Sequence, residues 1–330
     1  MDRPANLKLE HLTSQNEQMA RCLKLAALAA KSNVPVLIIG ETGTGKTLLA
    51  HAIHNSSART GKPFISFNTS AMSETLLESQ LFGHERGAFT GAERMVKGKF
   101  ELADTGTLFL DEIADMSQLA QAKILRAVEY GEFERLGSER MLHADVRIIS
   151  ATNQSLRENI SRGKFREDLY QRLKGVTLLI PPLRERCEEL PGLIAAELKA
   201  AARAAGKKIT AIHPAAMDQL LSHEWRGNLR ELNHVMRTVA LFCEGSVVLP
   251  EHVVFVTEPV RAETSAAPLA PASTAGRLAP GEANLSLAAA THRHILAVYE
   301  QANRNQRATA RLLGISRAKL RRHLAGLGLK

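Results

Sequence analysis

Val34-Pro-Val-Leu-Ile-Ile-Gly-Glu-Thr-Gly-Thr-Gly-Lys-Thr47 joins an apolar run to a glycine-rich loop, and Leu48–His54 then reads as a helix. Gly40 to Thr47 satisfies G-x-x-x-x-G-K-[ST] in the strand–loop–helix setting that this pattern requires. Gly40, Gly43 and Gly45, with Glu41, Thr42 and Thr44 between them, let backbone N–H groups turn inward around phosphate oxygens. Lys46 is then placed to reach β- and γ-phosphates and Thr47 to ligate Mg²⁺. The stretch therefore predicts a nucleotide site at the carboxyl end of a buried strand.

Working outward, further strands are expected at Phe64–Asn68, Thr107–Asp111, Arg147–Ala151 and Val176–Ile180, the first running over Val34–Ile39. Several are apolar at successive positions, as strands covered on both faces should be. Helical patterns such as Gln118–Tyr130 lie between them, which predicts an α/β fold with a parallel sheet. From Leu190 to Gly245 the pattern is helical only and reads as a helical lid. The second half of a nucleotide site is Thr107-Leu-Phe-Leu-Asp111-Glu112. Asp111, ending the strand, suits the hydration shell of Mg²⁺, and Glu112 suits polarising an attacking water. Thr152 and Asn153 end the neighbouring strand and are candidates for sensing a γ-phosphate; a plain strand terminus is the alternative.

The 330 residues suit about two domains of roughly 150 residues. Three scattered cysteines fit neither a disulfide framework nor a zinc cluster and point to a reducing compartment. No apolar run reaches the roughly 18 residues of a membrane span, and no secretory leader is evident, so a cytoplasmic location is expected. The formal charge is +9, but residues 291–330 hold nine Lys/Arg against Glu300 alone. The excess is thus local, as in a small nucleic-acid-binding unit on a near-neutral body. Between them, residues 258–284 read EPVRAETSAAPLAPASTAGRLAPGEAN, the composition of a flexible linker. The expected organisation is an α/β unit over 1–180, a lid over 181–257, this linker, and a small helical unit over 285–330.

Gly87-Ala-Phe-Thr-Gly-Ala92, preceded by Glu78-Ser-Gln-Leu-Phe-Gly-His-Glu-Arg, resembles the GAFTGA signature of sigma-54-dependent bacterial enhancer-binding proteins, which are AAA+ ATPases. The resemblance runs from about Leu12 to Val256 and resumes in the tail. It implies ATP and Mg²⁺ as ligands, ATP hydrolysis, and a loop that engages sigma-54 RNA polymerase. Gly87, Ala88, Phe89, Thr90, Gly91 and Ala92 would form that loop, with Phe89 and Thr90 at the contact. From the residues alone, Phe89 exposed at the tip of a glycine-bracketed loop suits a partner contact, whereas a buried Phe89 would make the loop passive.

Further positions carry over by the same resemblance. Asn68 matches the asparagine that holds the catalytic glutamate away from water. Arg166 and Arg172 match arginines presented to a neighbouring subunit's nucleotide, which implies a ring, expected to be a hexamer. Arg230, in Trp225-Arg-Gly-Asn-Leu-Arg-Glu-Leu-Asn233, matches the lid arginine that returns to the nucleotide. Relatives often carry Glu where Thr47 stands and Pro where Arg226 stands. The tail resembles a Fis-type helix-turn-helix: Gly314 at the turn, Ser316 as N-cap, and Ser316, Arg317, Lys319, Arg321 and Arg322 toward an upstream double-stranded DNA element. Only about ten residues precede the resemblance, too few to fold alone, so control by a regulatory protein in trans is expected. A remodelling motor on DNA or protein, or a nucleotide-switched regulator, are the rival readings.

Overall fold

The computed structural model describes residues 7–70 and 72–255, and beyond these positions 295, 298, 299, 305, 306, 309, 310, 320, 321 and 324. The elements run α1 (Glu17–Ala30), β1 (Val36–Ile39), α2 (Lys46–Asn55), β2 (Phe64–Asn68), α3 (Glu74–Phe82), β3 (Gly83–His84), β4 (Val96–Lys97) and α4 (Lys99–Leu102). They continue with β5 (Thr107–Asp111), α5 (Gln118–Tyr130), β6 (Glu132–Glu134), β7 (Met141–His143), β8 (Arg147–Thr152), α6 (Leu156–Ser161), α7 (Glu167–Leu173) and β9 (Val176–Leu179). A second group follows: α8 (Leu190–Ala204), β10 (Ala211–Ile212), α9 (Pro214–Ser222), α10 (Asn228–Phe242) and β11 (Val247–Val248).

The main sheet is parallel throughout, in the order β2-β5-β8-β1-β9. Both faces are covered, which explains the unbroken apolar runs. Along β5, Leu108 and Leu110 enter one core with Phe82, Phe100 and Leu169, while Phe109 enters the other with Ile38, Ile53 and Ile149. The carboxyl ends of β1, β5 and β8 open on one edge, where an open α/β sheet places its ligand.

Strand limits follow local chemistry. The first strand starts at Val36, not Val34, because Pro35 has no N–H for the ladder; its carbonyl still accepts from Val176 N at 2.9 Å. The β8 strand runs one residue past expectation to Thr152, whose carbonyl accepts from Gly40 N at 3.2 Å. Helix α5 has the expected limits. Ser117 caps its start through Ala120 N, and Gly131 in the left-handed region closes its end.

The lid is not purely helical. Ala211–Ile212 and Val247–Val248 pair as parallel strands two residues long, too short to leave an alternating signal in the sequence. Trp225, fully buried, centres its core with Met236, Leu232 and Val239. Two small antiparallel ribbons, β3–β4 and β6–β7, have strands of only two and three residues and leave no such signal either.

The chain divides into two compact units, residues 1–259 and 260–330. The linker expected at 258–284 lies outside the described residues. In the second unit Ile295, Tyr299, Ala310, Leu320 and Leu324 pack together. Arg321 is helical and exposed; Ser316, Arg317, Lys319 and Arg322 lie outside the described residues.

Candidate functional site

A cleft of about 290 Å³ opens where β1 and β5 end against α10. Thr42, Gly43, Gly45, Lys46 and Thr47 line it from the loop, Asp111 and Glu112 from β5, and Leu229, Arg230 and Asn233 from the lid. Gly43 and Gly45 have φ of +82° and +101°, conformations that L side chains rarely adopt, so the glycines at these places are a backbone requirement. Gly45 is the N-cap of α2, which sets the positive end of that helix at the cleft.

Lys46 is buried, with Nζ donating to the carbonyls of Gly40 at 2.9 Å and Glu41 at 3.3 Å and lying 3.5 Å from Glu112 Oε1. Burial pushes the Asp111 carboxyl above its ordinary value, and the adjacent Glu112 charge adds to this. Two carboxylates against one lysine, beside the exposed Thr47 hydroxyl, form an oxygen donor set that suits Mg²⁺ held partly through water and phosphate. Glu112 itself has φ +55°, a left-handed conformation unusual for glutamate and of a kind that collects at functional sites. Thr69 holds it there: its hydroxyl donates toward the Glu112 carbonyl at 2.7 Å.

Not every expected ligand residue reaches the cleft. Thr44 is buried and its hydroxyl donates to the Glu41 carbonyl at 2.8 Å. Glu41 turns to the lid instead, where Arg184 binds it at 2.7 and 2.9 Å and holds its carboxyl below the ordinary value. Asn153 does not line the cleft but binds two residues that do: Nδ2 donates to Thr42 Oγ1 at 3.0 Å and its backbone N–H to Glu112 Oε2 at 3.2 Å. Thr152 is buried and its hydroxyl oxygen accepts from Gln154 N. Asn68 is paired in register with Asp111 but does not hold Glu112 here; its carboxamide oxygen accepts from Ser70 N at 2.8 Å. The glutamate is engaged instead by Lys46, the first residue of α2, and by the backbone N–H of Asn153, just past the end of β8.

Arg166 and Arg172 do not line the cleft of their own chain. Arg166 pairs with Asp168 at 2.7 Å and Arg172 with Glu129, and both guanidinium groups are exposed. The GAFTGA segment forms a closed-neck loop, Gly87 N donating to Ala92 O at 2.8 Å. Phe89 is not exposed at its tip. It lies half-buried, edge-on to the His84 ring at 4.9 Å, and His84 is fixed by Ser79 Oγ at 2.8 Å. The exposed apex is Thr90-Gly91, and Ala92 is buried. The loop base is tied to the β6–β7 ribbon through Arg135, which grips Glu85 at 2.7 Å and Glu101 at 2.6 Å.

Residues 12–179 match the sigma-54 interaction domain, and residues 184–268 match the AAA+ ATPase lid domain. The chain belongs to the sigma-54 interaction family of AAA+ ATPases. Among its relatives, the Nif-specific regulatory protein of Azotobacter vinelandii is 43% identical over 299 residues, 90% of this chain and 55% of the relative. The transcriptional regulatory protein ZraR of Escherichia coli K12 is 40% identical over 309 residues, 94% of this chain and 67% of the relative. The chain thus spans between about half and two thirds of these relatives' length. A crystal structure of NtrX from Brucella abortus in complex with ADP superimposes with a TM-score of 0.67 at 32% identity, covering 98% of this chain and 70% of that one.

For a member of this family, the lid contributes more to the cleft than the arginine that the motif singles out. Leu229 and Asn233, on the same helix as Arg230, also line it, a helical spacing that could have been read from the motif. Arg226, where relatives often have proline, is exposed and pairs with Glu224. Among the described residues, no helix is long and apolar enough to cross a membrane.

Proposed function

We propose that the protein is an ATP-dependent transcription activator that uses nucleotide turnover in the cleft to work the GAFTGA loop against sigma-54 RNA polymerase. The observation that carries this reading is the presence, within residues 1–259, of a P-loop cleft lined by Lys46, Thr47, Asp111, Glu112 and the lid's Arg230, and of a loop with an exposed Thr90-Gly91 apex. Lys46, Thr47 and the Gly43 and Gly45 backbone would hold the phosphates of ATP, with Asp111 and Thr47 facing Mg²⁺. Mg²⁺ would neutralise phosphate charge. Glu112 would orient the attacking water and take up its proton at a carboxylate oxygen. Arg230 would approach from the lid. Arg166 and Arg172, exposed and outside the lining of their own cleft, would serve a neighbouring subunit in a ring, expected to be a hexamer. The basic tail would hold upstream DNA, and the cytoplasm, where polymerase acts, would be the site of action.

The test is Thr90→Ala in the full chain. ATP hydrolysis, followed as phosphate release, should persist, while conversion of a sigma-54 promoter from closed to open complex, followed by permanganate reactivity, should fail. Promoter opening at the wild-type level would sink the coupling assignment.

A further inference from the structure

Asn228 is fully buried with φ +54°, a left-handed conformation in which asparagine is several-fold enriched among non-glycine residues. Its carboxamide is used at both ends. The Oδ1 atom accepts from Leu183 N at 2.7 Å, where the chain enters the lid. The Nδ2 group donates to the Thr42 carbonyl at 3.1 Å, to Glu41 Oε2 at 3.2 Å and to the Arg226 carbonyl at 3.3 Å. One side chain therefore touches the P-loop, the lid entrance and the turn that opens the Arg230 helix.

Peptide geometry gives this contact a consequence for the ligand. A trans peptide points its C=O and N–H in opposite directions. With the Thr42 carbonyl drawn toward Asn228, the Gly43 N–H of the same unit is aimed away from the lid turn, and Gly43 lines the cleft. The next carbonyl, of Gly43, accepts from Leu229 N at 3.0 Å, and Arg184 grips Glu41 with both terminal nitrogens. The P-loop is thus shaped on its outer side by lid residues.

We propose that Asn228 is a positioning residue of the nucleotide site. It orients the Thr42–Gly43 peptide for a nucleoside phosphate and keeps the lid, with Arg230, in register with the loop. Glu41 serves as the lid's anchor on the P-loop. The proposal rests on the reading of the cleft as an ATP site.

The test uses the full chain, titrated with a fluorescent N-methylanthraniloyl-ATP and Mg²⁺, with KM and kcat for ATP measured alongside. Asn228→Asp keeps the shape, suits the left-handed backbone and still accepts from Leu183, but it sets a carboxylate oxygen against Glu41 and the Thr42 carbonyl. Affinity should fall about tenfold or more, because buried acceptors then face each other without a donor. In E41Q/N228D the glutamine amide can donate to the introduced carboxylate, and affinity and KM should recover by about threefold relative to N228D. Asn228→Gly, which keeps the backbone without adding charge, should lose less affinity than N228D. Melting without nucleotide reads folding separately: a purely structural role would lower the midpoint and leave KM of the folded fraction unchanged. Wild-type affinity in N228D, or the same loss in E41Q/N228D as in N228D, overturns the proposal. If the wild-type chain itself fails to take up the analogue, the ATP reading falls, and the proposal with it.

Discussion

Replacing Gly43 by alanine should push the lid away from the P-loop. A Cβ at this position would lie 2.3 Å from the Gly227 carbonyl oxygen and 3.1 Å from Arg230 Cβ. An ordinary contact needs about 3.5 Å, so the lid turn must retreat by roughly 1 Å. That retreat breaks the hydrogen bonds from Leu229 N to Gly43 O and from Asn228 Nδ2 to Thr42 O, which contribute about 0.5–1.5 kcal/mol each. Alanine at φ +82° adds about 1–2 kcal/mol of backbone strain. The total is about 2–5 kcal/mol. Gly206→Ala isolates the strain: Gly206 has φ +68°, nothing lies within 4 Å of its Cβ position, and it sits in the same lid. Trp225, the single tryptophan, is buried in the lid core edge-on to His223 and Phe255, so its fluorescence follows lid unfolding in urea. Gly43→Ala should be less stable than Gly206→Ala by about 1–3 kcal/mol and should lose ADP affinity, whereas Gly206→Ala should keep it. Equal stability shifts, with wild-type ADP binding in both, would refute the docking of lid on loop.

Two further outcomes follow from named side chains. Glu112→Gln should retain ATP binding, since Lys46 keeps its carbonyl partners, but lose turnover by about 10²–10⁴, measured as phosphate release. Equal turnover would remove Glu112 from the chemistry. His54 is buried with Nδ1 2.9 Å from Thr107 Oγ1, and burial, then the neighbouring His51, lowers its pKa from the ordinary 6.5. The unfolded chain therefore binds the proton first as pH falls. The stability tied to neutral His54 is present above 6.5 and is lost as pH drops through and below that value. In His54→Gln the melting temperature should depend less on pH between neutral and mildly acidic buffer, and an unchanged slope would exclude His54 as the cause.

Much of the fold was open to reading because the decisive residues act on their own neighbourhood. The β5 run Leu108-Phe109-Leu110 is apolar on every position because each face of the sheet has its own core. Ser117 and Gly131 mark the ends of α5 by capping their own backbone. Lys46, Thr47, Asp111, Glu112 and Arg230, each singled out by a short motif, line one cleft. Residues whose task depends on a distant partner were harder to place. Glu41 looks like a ligand residue in the loop, yet Arg184, 143 positions away, and Asn228, 187 positions away, draw it to the lid. Phe89 looks like an exposed tip, yet the His84 ring, locked by Ser79, offers it an aromatic edge contact that covers part of its area. Thr69, which steadies the left-handed Glu112, carries no sequence signal beyond following a strand.

The amino-acid sequence by itself determined the glycine-rich G-x-x-x-x-G-K-T loop, the acid pair, the layered α/β order and the concentration of positive charge in residues 291–330. Each of these is a property of consecutive residues: glycine φ freedom, the start of a helix, the alternation of strand faces, and simple charge count. Only the tertiary structure decided which side chains complete the cleft and which way they turn. Asn228 joins loop to lid, Glu112 is held by Lys46 and Asn153 rather than Asn68, and Thr90-Gly91 rather than Phe89 stands at the loop apex. The reason is that a buried donor or acceptor must find its partner in three dimensions, and the partners here arrive from elements far apart in the chain.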